Sequence, residues 1–152
     1  MAAHATFSTF GPDTLLELRN SWATVDDTVH VHTSLDMHDV GDHLVRAQFS
    51  DPVLDVEYFT LTYPDVYRLM QELKAIGAHN LAEGRRLQLT GKHRLQKFIS
   101  AYETYRTKDN VLPATYEVIF GHAWAPALSE NKKGEAHIPI SAIAHRKAIK
   151  KA

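Results

Sequence analysis

The chain contains no cysteine among its 152 residues. That excludes a disulfide framework, a thiolate zinc site and a cysteine nucleophile. It has no apolar run approaching the roughly 18–20 residues that span a bilayer. The opening residues, MAAHATF, carry neither the basic flank nor the apolar core of a secretory leader, so the expectation is a soluble, cytoplasmic protein. There is no internal repeat and no Ser-His-Asp arrangement. The glycines stand at 11, 41, 77, 84, 91, 121 and 134, no two of them two apart, so the glycine-rich loop that cradles a phosphate is missing.

What is present is enough for one ordinary domain with a core. Hydrophobic residues make up 44% of the chain and charged residues 23%, which excludes a collagen-like, low-complexity or wholly disordered chain. The net charge of −1 conceals a polarity. Residues 1–65 carry eleven acidic side chains against two basic ones, and residues 66–152 carry seven against fifteen. Such a division suits a face made for an acidic partner, two mutually attracting lobes, or ordinary solvated surface.

Along the chain, residues 2–10 alternate and are rich in β-branched and aromatic types, which reads as a strand stopped by Gly11-Pro12. Asp13 or Thr14 is placed to cap a helix whose stripe is Leu15, Leu18, Trp22 and Val25. A second helix is expected from Met37 to about Gln48, with Val40, Leu44 and Ala47 on one face. Phe49-Ser50-Asp51-Pro52 reads as a turn, and residues 53–63 (VLDVEYFTLTY) as the clearest strand. Pro64-Asp65 opens a third helix through Val66, Leu69, Met70, Leu73 and Ile76, with Gly77 as its stop. A loop holding Gly84-Arg85-Arg86 follows. Thr90 is placed to cap a fourth helix through Leu95, Phe98, Ile99, Tyr102 and Tyr105. After the turn Lys108-Asp109-Asn110, residues 112–124 (LPATYEVIFGHAW) form a second strong strand. Beyond Pro126 the composition turns basic and poor in aromatics, giving a flexible tail or a short basic helix from Ser141. The order β-α-α-β-α-α-β predicts an α/β domain.

Several words of the sequence carry a resemblance. They are Phe7-Ser8-Thr9-Phe10-Gly11-Pro12-Asp13-Thr14-Leu15, Leu18 with Trp22 and Val25-Asp26-Asp27, Leu35 through His38-Asp39, Leu73-Lys74-Ala75-Ile76-Gly77-Ala78, Glu83-Gly84-Arg85-Arg86, Leu89-Thr90, Pro113-Ala114-Thr115-Tyr116-Glu117-Val118 and Gly121-His122. From Phe7 to Pro126 the chain resembles the C-terminal half of the malonyl-acyl-carrier-protein O-methyltransferases of biotin synthesis, which are class I S-adenosylmethionine-dependent methyltransferases. The tail has no counterpart in that resemblance. It implies a Rossmann-like sheet of which only strands five to seven are here, the last of them antiparallel, with a two-helix insertion. The division implied is 1–126 for the methyltransferase part, 64–110 within it as helical insertion or lid, and 127–152 as basic tail.

The family methylates the free carboxylate of a malonyl thioester. A carboxylate is already a competent nucleophile, so positioning and desolvation rather than a general base would carry that reaction. The cofactor cradle of such enzymes lies on strands absent from this chain, so no S-adenosylmethionine-binding residue is expected here and the chain is expected to be inactive alone. No catalytic residue is assigned. The resemblance implies an acidic acyl carrier protein in its malonyl form as partner, and a separate cofactor-binding half as a second. Arg85, Arg86, Lys92, Arg94 and Lys97, with no acid between Gly84 and Tyr102, are the candidates for docking the carrier or pairing with the malonyl carboxylate. Trp22 is the candidate for lining the substrate pocket. The competing reading of these residues is a solvated helix face and a core aromatic. The alternative for the whole chain is a non-enzymatic module that binds a carrier or itself, the open edge of strand five allowing a homodimer. His30-x-His32 with His38 and His43 raises a metal site, but the spacing fits no compact zinc motif, and exposed loop histidines are the reading adopted. No nucleic acid or membrane partner is expected.

Overall fold

A computed structural model of the chain describes residues 3–85 and 88–125. The element order is β1 (His4–Phe10), α1 (Leu16–Ala23), α2 (Met37–Arg46), β2 (Ser50–Tyr63), α3 (Val66–Ala75), α4 (Lys92–Glu103) and β3 (Leu112–Trp124). The α/β expectation and the order of elements hold. The segment 126–152, and with it the expected tail or Ser141 helix, lies outside the described residues.

The three strands form one sheet in the order β1-β3-β2, and β3 runs antiparallel to both neighbours. Consequently β1 and β2 point the same way, and their C-terminal ends, Phe10 and Tyr63, lie at one end of the sheet. There α1, α3 and α4 gather over Tyr63, Leu112 and Ala114, and the core holds Leu18, Val66, Leu69, Phe98 and Tyr102. The expected stripe of α1 is the reason: Leu18 is buried in this core, with Leu15, Trp22 and Val25 packed against it. The Tyr102 hydroxyl is drawn inside and donates to the Pro113 carbonyl (2.9 Å), and burial pushes its phenol above the ordinary range.

β3 is longer than β1, so the residues of β3 before Val118 have no strand on that side. The segment after β1 takes that place (Gly11 to Glu17). The Gly11 and Leu15 amides donate to the carbonyls of Glu117 (2.9 Å) and Thr115 (2.7 Å). The Thr14 hydroxyl donates to the Glu117 carbonyl (2.9 Å) and accepts from its amide (3.2 Å). The buried carboxylate of Glu17 accepts from the Thr115 amide (3.0 Å) and hydroxyl (2.5 Å). These bonds satisfy backbone groups that would otherwise be costly at a buried edge. They also explain a correction. Asp13 and Thr14 do not cap α1; its N-cap is Leu15, in the left-handed region (φ 55°), while the Thr14 hydroxyl serves the sheet edge and the Asp13 carboxylate accepts from the Tyr58 hydroxyl.

Other boundaries shift for local reasons. From Ser50 on, the expected turn 49–52 is the start of β2, absorbed as an irregularity in register between Ser50 and Val53 where Asp51 takes a positive φ (48°). α2 ends at Arg46, and Ala47 is exposed. Asp65 caps α3 by accepting from the Arg68 amide, whereas Ile76 is 74% exposed, beyond the helix. α4 is capped by Gly91, not Thr90, with no side-chain bond, and Tyr105 lies past its end.

Two glycines are required by close approach. A Cβ on Gly11 would lie 2.2 Å from Glu117 Cδ, and one on Gly121 would lie 2.4 Å from Phe7 Cζ and 2.6 Å from Leu54 Cδ2, its partners on either side. The carboxylate facing Gly11 is itself fixed, because it accepts from the Asp13 amide (2.7 Å). Replacing Gly11 by alanine must break that bond or displace the segment after β1. The expected cost is about 1–3 kcal/mol, read as a lower urea midpoint at unchanged slope; an unchanged midpoint would show that Glu117 is not held as described.

Candidate functional site

The candidate site lies at the C-terminal end of β1, between α1, the following loop and the start of α4. It is built around Trp22. Its indole is stacked on both faces, by His30 (centroids 4.0 Å apart, planes at 8°) and by Phe98 (4.3 Å, 9°). Each such pair contributes about 0.5–1.5 kcal/mol beyond area burial. With both ring faces covered, Trp22 meets the adjoining cleft only by its edge. That cleft, of about 300 Å³, is lined by Arg19, Trp22, Asp26, Thr28, His30 and Val31 among others.

Asp26 ties the cluster together. Its Oδ1 accepts from the Thr28 hydroxyl (2.5 Å) and amide (3.1 Å), and His30 Nε2 lies 2.8 Å from the same oxygen. Its Oδ2 lies 3.5 Å from Arg94 Nη1, an ion pair that reaches from the loop to α4; both atoms are buried, and neither makes a hydrogen bond among the described residues. The Thr28 hydrogen bond first, and His30 next, hold the Asp26 carboxyl down at about 2 against the opposing effect of burial.

The basic candidates divide. Arg94 is half-buried and engaged with Asp26. Lys92 and Lys97 are exposed, and Lys97 lines an open groove of about 550 Å³ with Thr24, His93, Gln96 and Ser100. Arg85 folds back on its own turn, its guanidinium 3.4 Å from the carbonyls of Leu81 and Ala82. Arg86 lies outside the described residues. The structure therefore brings Arg94 to Trp22 through Asp26 and sets Lys97 on the neighbouring groove.

The first turn of α4 holds Lys92, His93 and Arg94 and no acid. Cations at a helix N-terminus oppose its dipole, at about 0.3–1 kcal/mol each. The helix end is thus strongly positive, and Asp26 is its counter-charge.

Asp26, Thr28 and His30 were not singled out from the sequence as a site. The signal was local: an Asp-x-Thr-x-His run in which the hydroxyl and imidazole can both reach back to one carboxylate. Of the four histidines of the metal reading, His30 and His32 do not converge. His30 is held by Trp22 and Asp26, while His32 Nε2 accepts from the Leu81 amide (3.1 Å). Among the described residues no group of three His, Cys, Asp or Glu side chains is placed to hold a metal, and no helix is long and apolar enough to cross a membrane.

No family model matches the chain. Curated proteins do. A malonyl-[acyl-carrier protein] O-methyltransferase of Gallionella capsiferriformans is 53% identical over 135 residues, 89% of this chain and 46% of the relative. One of Methylovorus sp. is 62% identical over 122 residues, 79% of this chain and 40% of the relative. One of Halorhodospira halophila is 46% identical over 145 residues, 93% of this chain and 49% of the relative. The chain spans about half the length of the curated relatives it matches. The last match covers more than residues 1–126 could supply, so part of the segment after Pro126 has a counterpart in that relative.

The depressed carboxyl of Asp26 sets a pH dependence. A carboxylate held below its ordinary value contributes stability above about pH 4 and loses it as pH falls toward 2. Asp26→Asn is expected to cost about 1–3 kcal/mol at neutral pH and to flatten the stability profile between pH 4 and 2, measured by urea unfolding at a series of pH values. An equally steep profile in the variant would assign the acid sensitivity to other groups.

Proposed function

We propose that this chain, a sequence relative of the malonyl-[acyl-carrier protein] O-methyltransferases, is the substrate-side half of such an enzyme. The observation that carries the reading is identity of 46–62% over most of this chain against only 40–49% of each relative's length. On this reading β1, β2 and β3 are strands five, six and seven of a class I methyltransferase sheet, and α3 and α4 form the helical insertion within 64–110. The order β1-β3-β2 with β3 reversed supports that numbering. The reaction, in biotin synthesis, esterifies the free carboxylate of malonyl-acyl carrier protein, with S-adenosylmethionine supplying the methyl group.

The described residues do not fit that cofactor. Their glycines stand singly, and the space beside Gly11, at the C-terminal end of β1, is filled by the Glu117 carboxylate. No step of the transfer is therefore assigned to these residues. Their part is recognition. The positive N-terminal end of α4, with Lys92, Arg94 and Lys97, and the Arg85-Arg86 loop suit an acidic carrier, its phosphopantetheine phosphate, or the malonyl carboxylate. The cleft edged by Trp22 supplies an apolar wall beside them.

The outer edge of β1 has no strand beside it among the described residues, which supports a complementing half that extends the sheet there. Cross-strand register places Phe10, Val53, Phe59, Phe120 and Trp124 on one face of the sheet, and all five are exposed by 41–53%. The same edge and face would serve a self-associating, non-enzymatic module.

The test is complementation. The chain alone, with malonyl-acyl carrier protein and S-adenosylmethionine, is expected to give no calorimetric heat with the cofactor and no methyl ester. Supplying the cofactor-binding half of a relative is expected to restore transfer. Arg94→Glu with Lys97→Glu should weaken carrier binding by about tenfold or more and reduce its salt dependence. Micromolar cofactor binding by the chain alone would overturn the division of labour, and a stable homodimer indifferent to the added half would favour the module.

A further inference from the structure

β2 is the strand at the other edge of the sheet, and its second half carries none of the devices that blunt an open edge. From Tyr58 to Thr62 every residue is exposed, with no charge, no proline and no bulge. Alongside runs an open groove of about 420 Å³, lined by Thr60, Leu61, Thr62 and Tyr63 with Arg68 and Glu72 of α3. Consecutive side chains of a strand point to opposite faces, so a groove lined by four in succession follows the strand's outer edge.

The direction of the backbone groups at that edge follows from β3. The Thr115 and Glu117 amides and carbonyls face the β1 side, where Glu17, Thr14, Leu15 and Gly11 meet them. These groups alternate in direction along a strand. Ala114, Tyr116 and Val118 therefore face β2, and their register partners Leu61, Phe59 and Glu57 face back. The amides and carbonyls of Tyr58, Thr60 and Thr62 are left pointing outward, and among the described residues no backbone group meets them. This outward row is closed at both ends. The Val56 amide donates to its own neighbour, the Asp55 carboxylate (2.9 Å), and Pro64 has no amide.

We propose that this edge binds a second copy of the chain, β2 against β2, antiparallel about Thr60. The outward row is centred on Thr60, so a two-fold axis there sets Thr60 opposite Thr60 and Tyr58 opposite Thr62. The outward amides and carbonyls of each strand are then all met by those of the other. Between them Phe59 falls opposite Leu61 on one face, side chains that are 44% and 49% exposed in the single chain. Tyr58 does not obstruct the edge, because its hydroxyl reaches back to Asp13.

Charge agrees with the same register. Glu57 is exposed and makes no ion pair among the described residues, and it falls opposite Tyr63 of the second copy, where Arg68 lines the groove. Arg68 otherwise pairs with Glu72 one turn along α3 (3.3 Å), an exposed pair that costs little to exchange. A foreign strand would meet the same backbone groups, but only a second β2 has its own row end where this one ends. The β1 edge stays free for a complementing half, so the inference does not rest on the proposed activity.

The absence of native cysteine makes the register readable. Thr60→Cys is expected to form an intermolecular disulfide under mild oxidation, its paired Cα atoms standing about 5.5 Å apart. Thr62→Cys, which faces Tyr58 and not itself, and Ile76→Cys are expected to link about tenfold more slowly. Sedimentation of the full chain should show a dimer in exchange with monomer. Leu61→Lys, at an exposed position that leaves the core untouched, should raise the dissociation constant about tenfold. Glu57→Arg should also weaken the dimer, and adding Arg68→Glu should restore it. A chain monomeric at about 100 μM, or equal oxidation of the three cysteine variants, would overturn the proposal. A dimer indifferent to Leu61→Lys would overturn it in favour of association through the β1 edge.

Discussion

The fold depends on β3 lying between two strands that precede it. β1 and β2 share no hydrogen-bonded ladder; each is bound only through β3, which arrives last in the described chain. Every long-range feature follows from that placement. Reversal of β3 makes β1 and β2 co-directional, which gathers the helices after them at one end, and the core forms where those helices meet Leu112 and Ala114. The greater length of β3 leaves backbone groups beyond the end of β1, and Glu17, Thr14 and Glu117 satisfy them. A buried glutamate in the first turn of α1 is thus a consequence of unequal strand lengths, as is the need for glycine at position 11.

That dependence also separates what was legible in the sequence from what was not. Residues 112–124 concentrate β-formers (Thr115, Tyr116, Val118, Ile119, Phe120 and Trp124), and the bounds expected for that strand are those of β3. The stripe Leu15, Leu18, Trp22 and Val25 shows the buried face of α1, because burial on a helix is a periodic signal. The capping of α1 was misread for a physical reason. Asp13 and Thr14 are good caps in isolation, but a strand edge a hundred residues away takes the Thr14 hydroxyl, and the Tyr58 hydroxyl on β2 takes the Asp13 carboxylate. Ser50 joins β2 likewise because Trp124 lies opposite it, which no local window contains.

The site shows the same division. The basic character of residues 85–97 is visible as composition. That Arg94 leaves that group to meet Asp26, while Lys97 stays on an open groove, is decided by the way α4 packs on α1. Trp22 was legible as an aromatic near the end of a strand. Its covering by His30 and Phe98 was not, because one partner comes from the loop after α1 and the other from α4. Asp26 connects these facts. It offsets the charge at the N-terminus of α4, orients the imidazole stacked on Trp22, and joins the first helical region to the second. An anion approaching α4 would meet Lys92 and Lys97, which pair with none of the described residues, and Arg94 already engaged, so any anionic ligand of Arg94 has to compete with Asp26.

The exposed apolar surface is not spread evenly. It falls on two separate places: the sheet face bearing Phe10, Phe59, Phe120 and Trp124, and the groove beside α2. The first adjoins the β1 edge, whereas the second lies against β2 at the other edge. The two places differ in character. The sheet face is broad, aromatic and continuous with an open strand edge, the kind of surface that another domain covers. The groove is small, and Asp42 and His38 are the polar residues of its lining.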